Sequence, residues 1–207
     1  MYSAFEYGTR RNTATFWLII INIAVYVFAG IWSGNILDLR NTAPMIILGQ
    51  VNVFIWYRLW IWQLFTAMFI HFDIMHLALN MFWLLILGSQ YERIFGGISL
   101  VKTYILTGLA GNVLSLFLLP PITNSAGASG AVFGIFGALI IIQAYAGGNI
   151  YNTIMYGFFI VLLNSIMPGI NFIAHAGGFL AGLIIGYLNV NRLRRIYYRV
   201  RYHPVYY

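Results

Sequence analysis

Apolar residues fill this chain in long runs rather than alternating with polar ones. Six runs are long enough to cross, or nearly cross, about 30 Å of hydrocarbon as helices. They cover 14–33, 74–91, 98–119, 128–146, 151–168 and 170–190. Helix-breaking residues separate the later ones: Gly96-Gly97, Pro120-Pro121 through Gly127, Gly147-Gly148 and Pro168-Gly169. The stretch 34–73 follows no such pattern. It carries Arg40, Arg58 and Asp73 among Trp56, Tyr57, Trp60 and Trp62, a composition suited to a structured loop in the headgroup region. The expected organisation is an N-terminal segment 1–13, a six-helix domain 14–190 that includes the interfacial loop 34–73, and a basic tail 191–207.

Composition turns these runs into a membrane assignment. Hydrophobic residues make up 61% of the chain and charged residues 7%, against about 25% charged in an average soluble protein. So few charges cannot clothe a water-facing surface, so the expected class is an all-α membrane protein with a six-transmembrane-helix bundle. There is no cysteine, which excludes disulfides and thiolate metal sites. Arg10-Arg11 precede an apolar run too long for a signal sequence, which reads as a retained first helix.

The net charge is +7, and its distribution orients the bundle. With both termini cytoplasmic, the inner side holds Arg10, Arg11, Arg93, Lys102 and the tail residues Arg192, Arg194, Arg195, Arg199 and Arg201, against Arg40 and Arg58 outside. The tail arginines, interleaved with Tyr197, Tyr198 and Tyr202, read as an anchor at anionic membrane lipid, with no nucleic acid as partner.

Polar residues inside such spans are functional candidates. His76 and Asn80 in the second run, Ser129 opening the fourth and His175 early in the last fall in the outer halves of their helices in this topology. Ser129 lies in Gly127-Ala128-Ser129-Gly130, where a broken loop enters a helix whose unpaired N–H groups favour a developing oxyanion. A serine hydroxyl needs a base, and His175 is the histidine available in the later helices. Alone, Ser129 reads first as a helix cap, and His175 as a core histidine bonded to backbone.

The glycines join these two residues. Gly178, Gly182 and Gly186 recur every four residues after His175, and Gly130, Gly134 and Gly137 follow Ser129. Small residues at that spacing let membrane helices touch backbone to backbone, which predicts Ser129 and His175 within hydrogen-bond reach. His76 and Asn80, four apart on one face, can donate with the Ser129 backbone N–H to an oxyanion, or else tie helices together. The acids are Glu6, Asp38, Asp73 and Glu92, none within the last three runs, so a Ser-His dyad is expected, with Asp73 as a possible neighbour. No HExxH motif and no pair of intramembrane aspartates is present, so no metal and no cofactor is expected.

The stretch from His71 through His76 to Asn80, then Gly127-Ala128-Ser129-Gly130, then Ala174-His175 with Gly178 and Gly182, resembles the rhomboid family of intramembrane serine proteases over roughly residues 55–190. The resemblance implies a six-helix core, the commoner prokaryotic form and hence an expected prokaryotic plasma membrane, that cleaves single-pass transmembrane protein substrates near their outer boundary. It implies Ser129 and His175 as catalytic dyad, with His76 and Asn80 supporting the oxyanion. Some members have Trp-Arg where this chain has Trp62-Gln63, Gly where it has Ala126, and a Tyr packed on the catalytic histidine where it has Phe133. Two other readings stand beside a protease: an inactive rhomboid-like protein that binds membrane clients, and a small channel or transporter lined by His76, Asn80 and His175.

Overall fold

In the computed structural model the chain is described at residues 12–145, 149–165 and 170–202, with side chains as far as Asn191. The breaks expected at Gly147-Gly148 and Pro168-Gly169, and the pair Arg10-Arg11, lie outside the described residues, as do the tail arginine side chains. The six apolar runs are helices: helix 1 Thr13–Ser33, helix 2 Ile74–Phe95, helix 3 Gly97–Leu118, helix 4 Ser129–Tyr145, helix 5 Ile150–Leu163 and helix 6 Phe172–Tyr202. Among the described residues, helices 1, 2, 3 and 6 are long and apolar enough to cross a membrane, whereas helices 4 and 5 are shorter, about 25 and 21 Å.

Three boundaries differ from expectation. Helix 2 runs four residues further, through a wide-turn stretch at Leu84–Gly88. Helix 5 ends at Leu163 rather than 168. Helix 6 continues past 190 to Tyr202, because residues 191–202 lose hydrophobicity but contain neither Gly nor Pro to stop a helix.

The distribution of side chains is that of a multi-pass integral membrane protein. Trp17 is 63% exposed, Phe28 62% and Ile31 75%, an outer surface that only lipid can solvate. The interior instead collects Asn22, Thr103, Thr107, Asn112 and Ser115, all buried. The buried acid Glu92 accepts from the backbone N–H groups of Ala14 at 2.9 Å and Thr15 at 2.8 Å, and from the Thr15 hydroxyl at 2.7 Å. It thereby caps helix 1 from the far end of helix 2, satisfying donors that hydrocarbon could not.

The interfacial loop is folded, with short helices at Ala43–Leu48, Asn52–Arg58 and Gln63–Thr66. Gln50–Val51 pairs antiparallel with Asn124–Ser125, Gln50 opposite Ser125, and the pairing extends through Asn52 N–H to the Thr123 carbonyl at 3.3 Å and Val53 N–H to Pro121 at 2.7 Å. Buried Gln63 braces this loop. Its Oε1 accepts from Val51 N–H at 3.0 Å, and its Nε2 donates to the carbonyls of Ile46 at 2.8 Å and Ile47 at 3.4 Å. A neutral amide therefore braces the loop at the second residue of Trp62-Gln63.

Helices 4 and 6 run parallel in contact. A Cβ added to Gly178 or Gly182 would fall on the carbonyl of Gly130 or Gly134, and one added to Gly186 would lie 2.6 Å from that of Ala138. Each step of four on one helix meets a step of four on the other, so the two backbones touch over two turns. Helix 3 closes the group: Gly111 leaves room for the Ala174 carbonyl, and Gly134 for Thr107.

Candidate active site

Helix 4 starts deep. A Cβ added to Gly130 would lie 3.9 Å from the Gly108 Cα, and Gly108 is near the middle of helix 3, about 15 Å along the axis from Leu118. Ser129 is therefore sunk well below the outer end of the neighbouring helix. The loop before it is tied down at each step. Gly127 N–H donates to the Ala67 carbonyl at 2.8 Å, and Ala128 N–H donates to His71 Nε2 at 3.3 Å. Gly127 has φ +115°, and a Cβ there would lie 2.7 Å from Cε1 of His76, so this position demands glycine twice over.

Ser129 is the first residue of helix 4. A capping serine turns its oxygen to an N–H of the first turn, but this hydroxyl lies 2.8 Å from His175 Nε2 instead. Neither Ser129 N–H nor Gly130 N–H finds a hydrogen-bond acceptor among the described residues, as the first turn of a helix leaves them. The helix 4–6 seam sets the pair, since His175 lies one turn before Gly178. Phe133 packs its ring on the imidazole, centroids 4.5 Å apart.

His175 Nδ1 lies 2.8 Å from the hydroxyl of Ser165, just past the end of helix 5. Sequence reasoning missed this residue: a lone serine near the end of an apolar run carries no pattern. Asn171 was missed as well, though an Asn directly before an apolar helix is a capping signal. Its Oδ1 accepts from Ala174 N–H at 2.8 Å, and its Nδ2 donates to the hydroxyls of Ser115 at 2.9 Å and Ser125 at 2.8 Å. It thus pins the start of helix 6 to helix 3 and to the paired strand ahead of Ser129.

His76 and Asn80 stand on the other side. Phe72 N–H donates to His76 Nδ1 at 3.4 Å, which leaves the proton of a neutral ring on Nε2, the edge facing Gly127. Asn80 is buried and donates one amide hydrogen to the His76 carbonyl at 2.8 Å. The structure does not join Asn80 to Ser129 or His175 by a hydrogen bond. Asp73 is occupied elsewhere: its Oδ1 accepts from His76 N–H at 2.7 Å as the cap of helix 2, and its other oxygen pairs with Arg40. It makes no hydrogen bond to His175.

A family model described as the Rhomboid domain matches residues 58–192. The chain is 37% identical over 135 residues to RHOMBOID-like protein 4 of Arabidopsis thaliana, covering 61% of this chain and 34% of that protein. It is 29% identical over 197 residues to the Arabidopsis Rhomboid-like protein 11, chloroplastic, covering 86% and 66%. It is 28% identical over 186 residues to Rhomboid-like protease 3 of Toxoplasma gondii, covering 86% and 70%. The match thus spans about a third of the first of these relatives and about two thirds of the second. Relatives named for a chloroplast or a mitochondrion lend no support to the expected prokaryotic plasma membrane.

Proposed function

This chain belongs to the rhomboid family, and from that premise we propose that it is a serine endopeptidase working inside the membrane, with Ser129 as nucleophile and His175 as general base. The observation that carries this reading is the 2.8 Å contact between Ser129 Oγ and His175 Nε2, at the start of a helix whose first N–H groups have no acceptor among the described residues. In this mechanism Nε2 takes the hydroxyl proton while Oγ attacks a substrate carbonyl carbon. The carbonyl oxygen becomes an oxyanion facing the Ser129 N–H, with His76 Nε2–H and the second amide hydrogen of Asn80 as further donors. Protonated His175 then returns the proton to the departing amine, and water repeats the sequence on the acyl-enzyme.

The substrate class is a single-pass transmembrane protein. A helix entering this site must unwind to present an extended peptide bond, and in hydrocarbon that opening is costly. Cleavage therefore falls towards the outer boundary, where helix-breaking or small residues ease it. An even number of crossings puts both ends of the bundle on one side, and the charge count makes that side cytoplasmic. A client-binding or channel role requires no hydroxyl bonded to an imidazole, so this contact favours the protease.

The test is a fluorophosphonate probe applied to the protein in detergent micelles, with the labelled residue mapped by mass spectrometry. Labelling is expected at Ser129 and lost in Ser129→Ala and His175→Ala variants that keep their thermal stability. Labelling elsewhere, or undiminished labelling in His175→Ala, overturns the assignment.

A further inference from the structure

We infer that Ser165 is a third, positioning member of the site, fixing the tautomer of His175 through a proton that the Val161 carbonyl pins in place. The inference rests on the reading of Ser129 and His175 as nucleophile and base. Ser165 Oγ has two partners: the Val161 carbonyl at 2.7 Å and His175 Nδ1 at 2.8 Å. A carbonyl oxygen only accepts, so the single hydroxyl proton of Ser165 is directed to Val161. Its oxygen must then accept from His175, which places the imidazole proton on Nδ1. A neutral imidazole protonated at Nδ1 carries its lone pair on Nε2, the atom 2.8 Å from Ser129 Oγ. The chain of bonds thus has one direction, from Ser129 Oγ–H to Nε2, from Nδ1–H to Ser165 Oγ, and from Ser165 Oγ–H to Val161.

This direction is the one that a base requires. With the proton on Nε2, the same imidazole would donate to Ser129 and could not activate it. In a Ser-His-Asp triad the carboxylate holds the tautomer and stabilises the imidazolium. Here a neutral hydroxyl does so, its ambiguity removed by a backbone carbonyl one turn back. Ser165 gains and loses no proton. When His175 is protonated, its bond to Ser165 becomes charge-assisted and strengthens.

The fold holds the third residue in register with the second. Phe179, one turn after His175 on helix 6, fills the notch left by Gly157 on helix 5, where a Cβ would lie 2.8 Å from the ring. Phe179 and Val161 belong to one buried cluster with Ile140 of helix 4. Helix 5 is thereby indexed against the helix that carries His175.

The experiment compares wild type, Ser165→Ala and Ser165→Thr in micelles, by two readouts. The first is the ¹⁵N signature of His175 in histidine-labelled protein, assigned by its loss in His175→Ala. The second is the rate at which a fluorophosphonate labels Ser129. Wild type is expected to show the Nδ1–H tautomer. Ser165→Ala should lose that preference and label about 10- to 100-fold more slowly, the scale of one hydrogen bond to a group that becomes charged. Ser165→Thr, which keeps a hydroxyl able to bond the carbonyl four residues back, should restore the tautomer and most of the rate. Ser165→Ala retaining both the tautomer and the rate overturns the inference, as does Ser165→Thr behaving like Ser165→Ala at equal thermal stability. Absence of labelling in wild type counts against the protease reading alone, because the tautomer readout still decides the role of Ser165.

Discussion

Two regions hold the two halves of the proposed site, and they are built by opposite means. The seam between helices 4 and 6 carries Ser129 and His175 on backbones that touch, with Gly178 and Gly182 leaving room for the carbonyls of Gly130 and Gly134. The mount formed by the interfacial loop and the start of helix 2 carries His76 and Asn80, held by polar side chains bonded to backbone and by an exposed ion pair. A seam without side chains has nothing to adjust, and the proposed nucleophile and base stand already aligned at 2.8 Å. The mount has many small adjustable bonds, and Asn80 still donates to its own helix. In the proposed mechanism the proton-transfer geometry is preorganised, whereas Asn80, a proposed oxyanion donor, is not joined to Ser129 by a hydrogen bond.

The largest expected effect comes from breaking the seam. In Gly182→Val the new Cβ meets the Gly134 carbonyl, a backbone atom that cannot rotate away. The helices must part, at a cost above the usual overpacking range of about 1–3 kcal/mol. Loss of folded yield and complete loss of Ser129 labelling are expected together. A well-folded, active Gly182→Val would show that the seam does not set the pair.

Next come the proposed oxyanion donors. His76→Ala and Asn80→Ala should each lower turnover by about 10²–10³-fold without preventing probe labelling altogether, as loss of one donor does elsewhere. The double variant should fall short of the product of the two, because both donors act on one charge. Steady-state cleavage of a reporter transmembrane helix reads all three variants. Full additivity would mean that the two residues act at separate places.

The same contrast explains what was legible in the sequence. The six runs stand out because the bilayer demands unbroken apolar stretches, and the seam because a small residue every four positions is a local pattern. Contacts of the mount are neither long nor periodic. Two-residue strands at Gln50–Val51 and Asn124–Ser125 pair across a great distance in the chain, and no pattern within either announces the other. Ser165 is legible only from its neighbours in space, since its role depends on His175 Nδ1 and on a carbonyl. Helix ends follow the same rule: composition marked where hydrophobicity stops, yet helix 6 continues to Tyr202 because nothing there breaks it.

A smaller effect is expected from Gln63→Ala in the mount. The substitution leaves Val51 N–H and the Ile46 carbonyl without their partner in part-buried bonds, a loss towards the low end of the about 1–3 kcal/mol that orphaning a buried group costs. The thermal midpoint should fall, while the rate of Ser129 labelling changes less than in His76→Ala, because the 4–6 seam is untouched. A labelling rate that fell as far as in His76→Ala would erase the division between the two regions.

The smallest effect belongs to Arg40, at the exposed edge of the mount. Arg40 bridges Asp38 and Asp73, and Asp73 caps the helix that carries His76. Asp38 is held below the usual carboxylate range, first by the Arg40 backbone N–H and then, against desolvation, by the Arg40 side chain and its charge. A carboxylate with a lowered folded-state pKa contributes stability above its unfolded value and loses it as pH falls through the folded one. Arg40→Ala keeps the backbone N–H and removes only the side-chain share, so it should lower the thermal midpoint slightly at neutral pH. That difference should shrink as pH drops through the range where Asp38 protonates, because the Arg40–Asp38 share of the bridge is then lost. Added salt should shrink it too, since both partners are about half exposed. Asp38→Asn, which gives up the charge facing both the backbone N–H and the guanidinium, should cost at least as much. A difference between wild type and Arg40→Ala that stayed undiminished in acid would mean that Arg40 acts by packing rather than by charge.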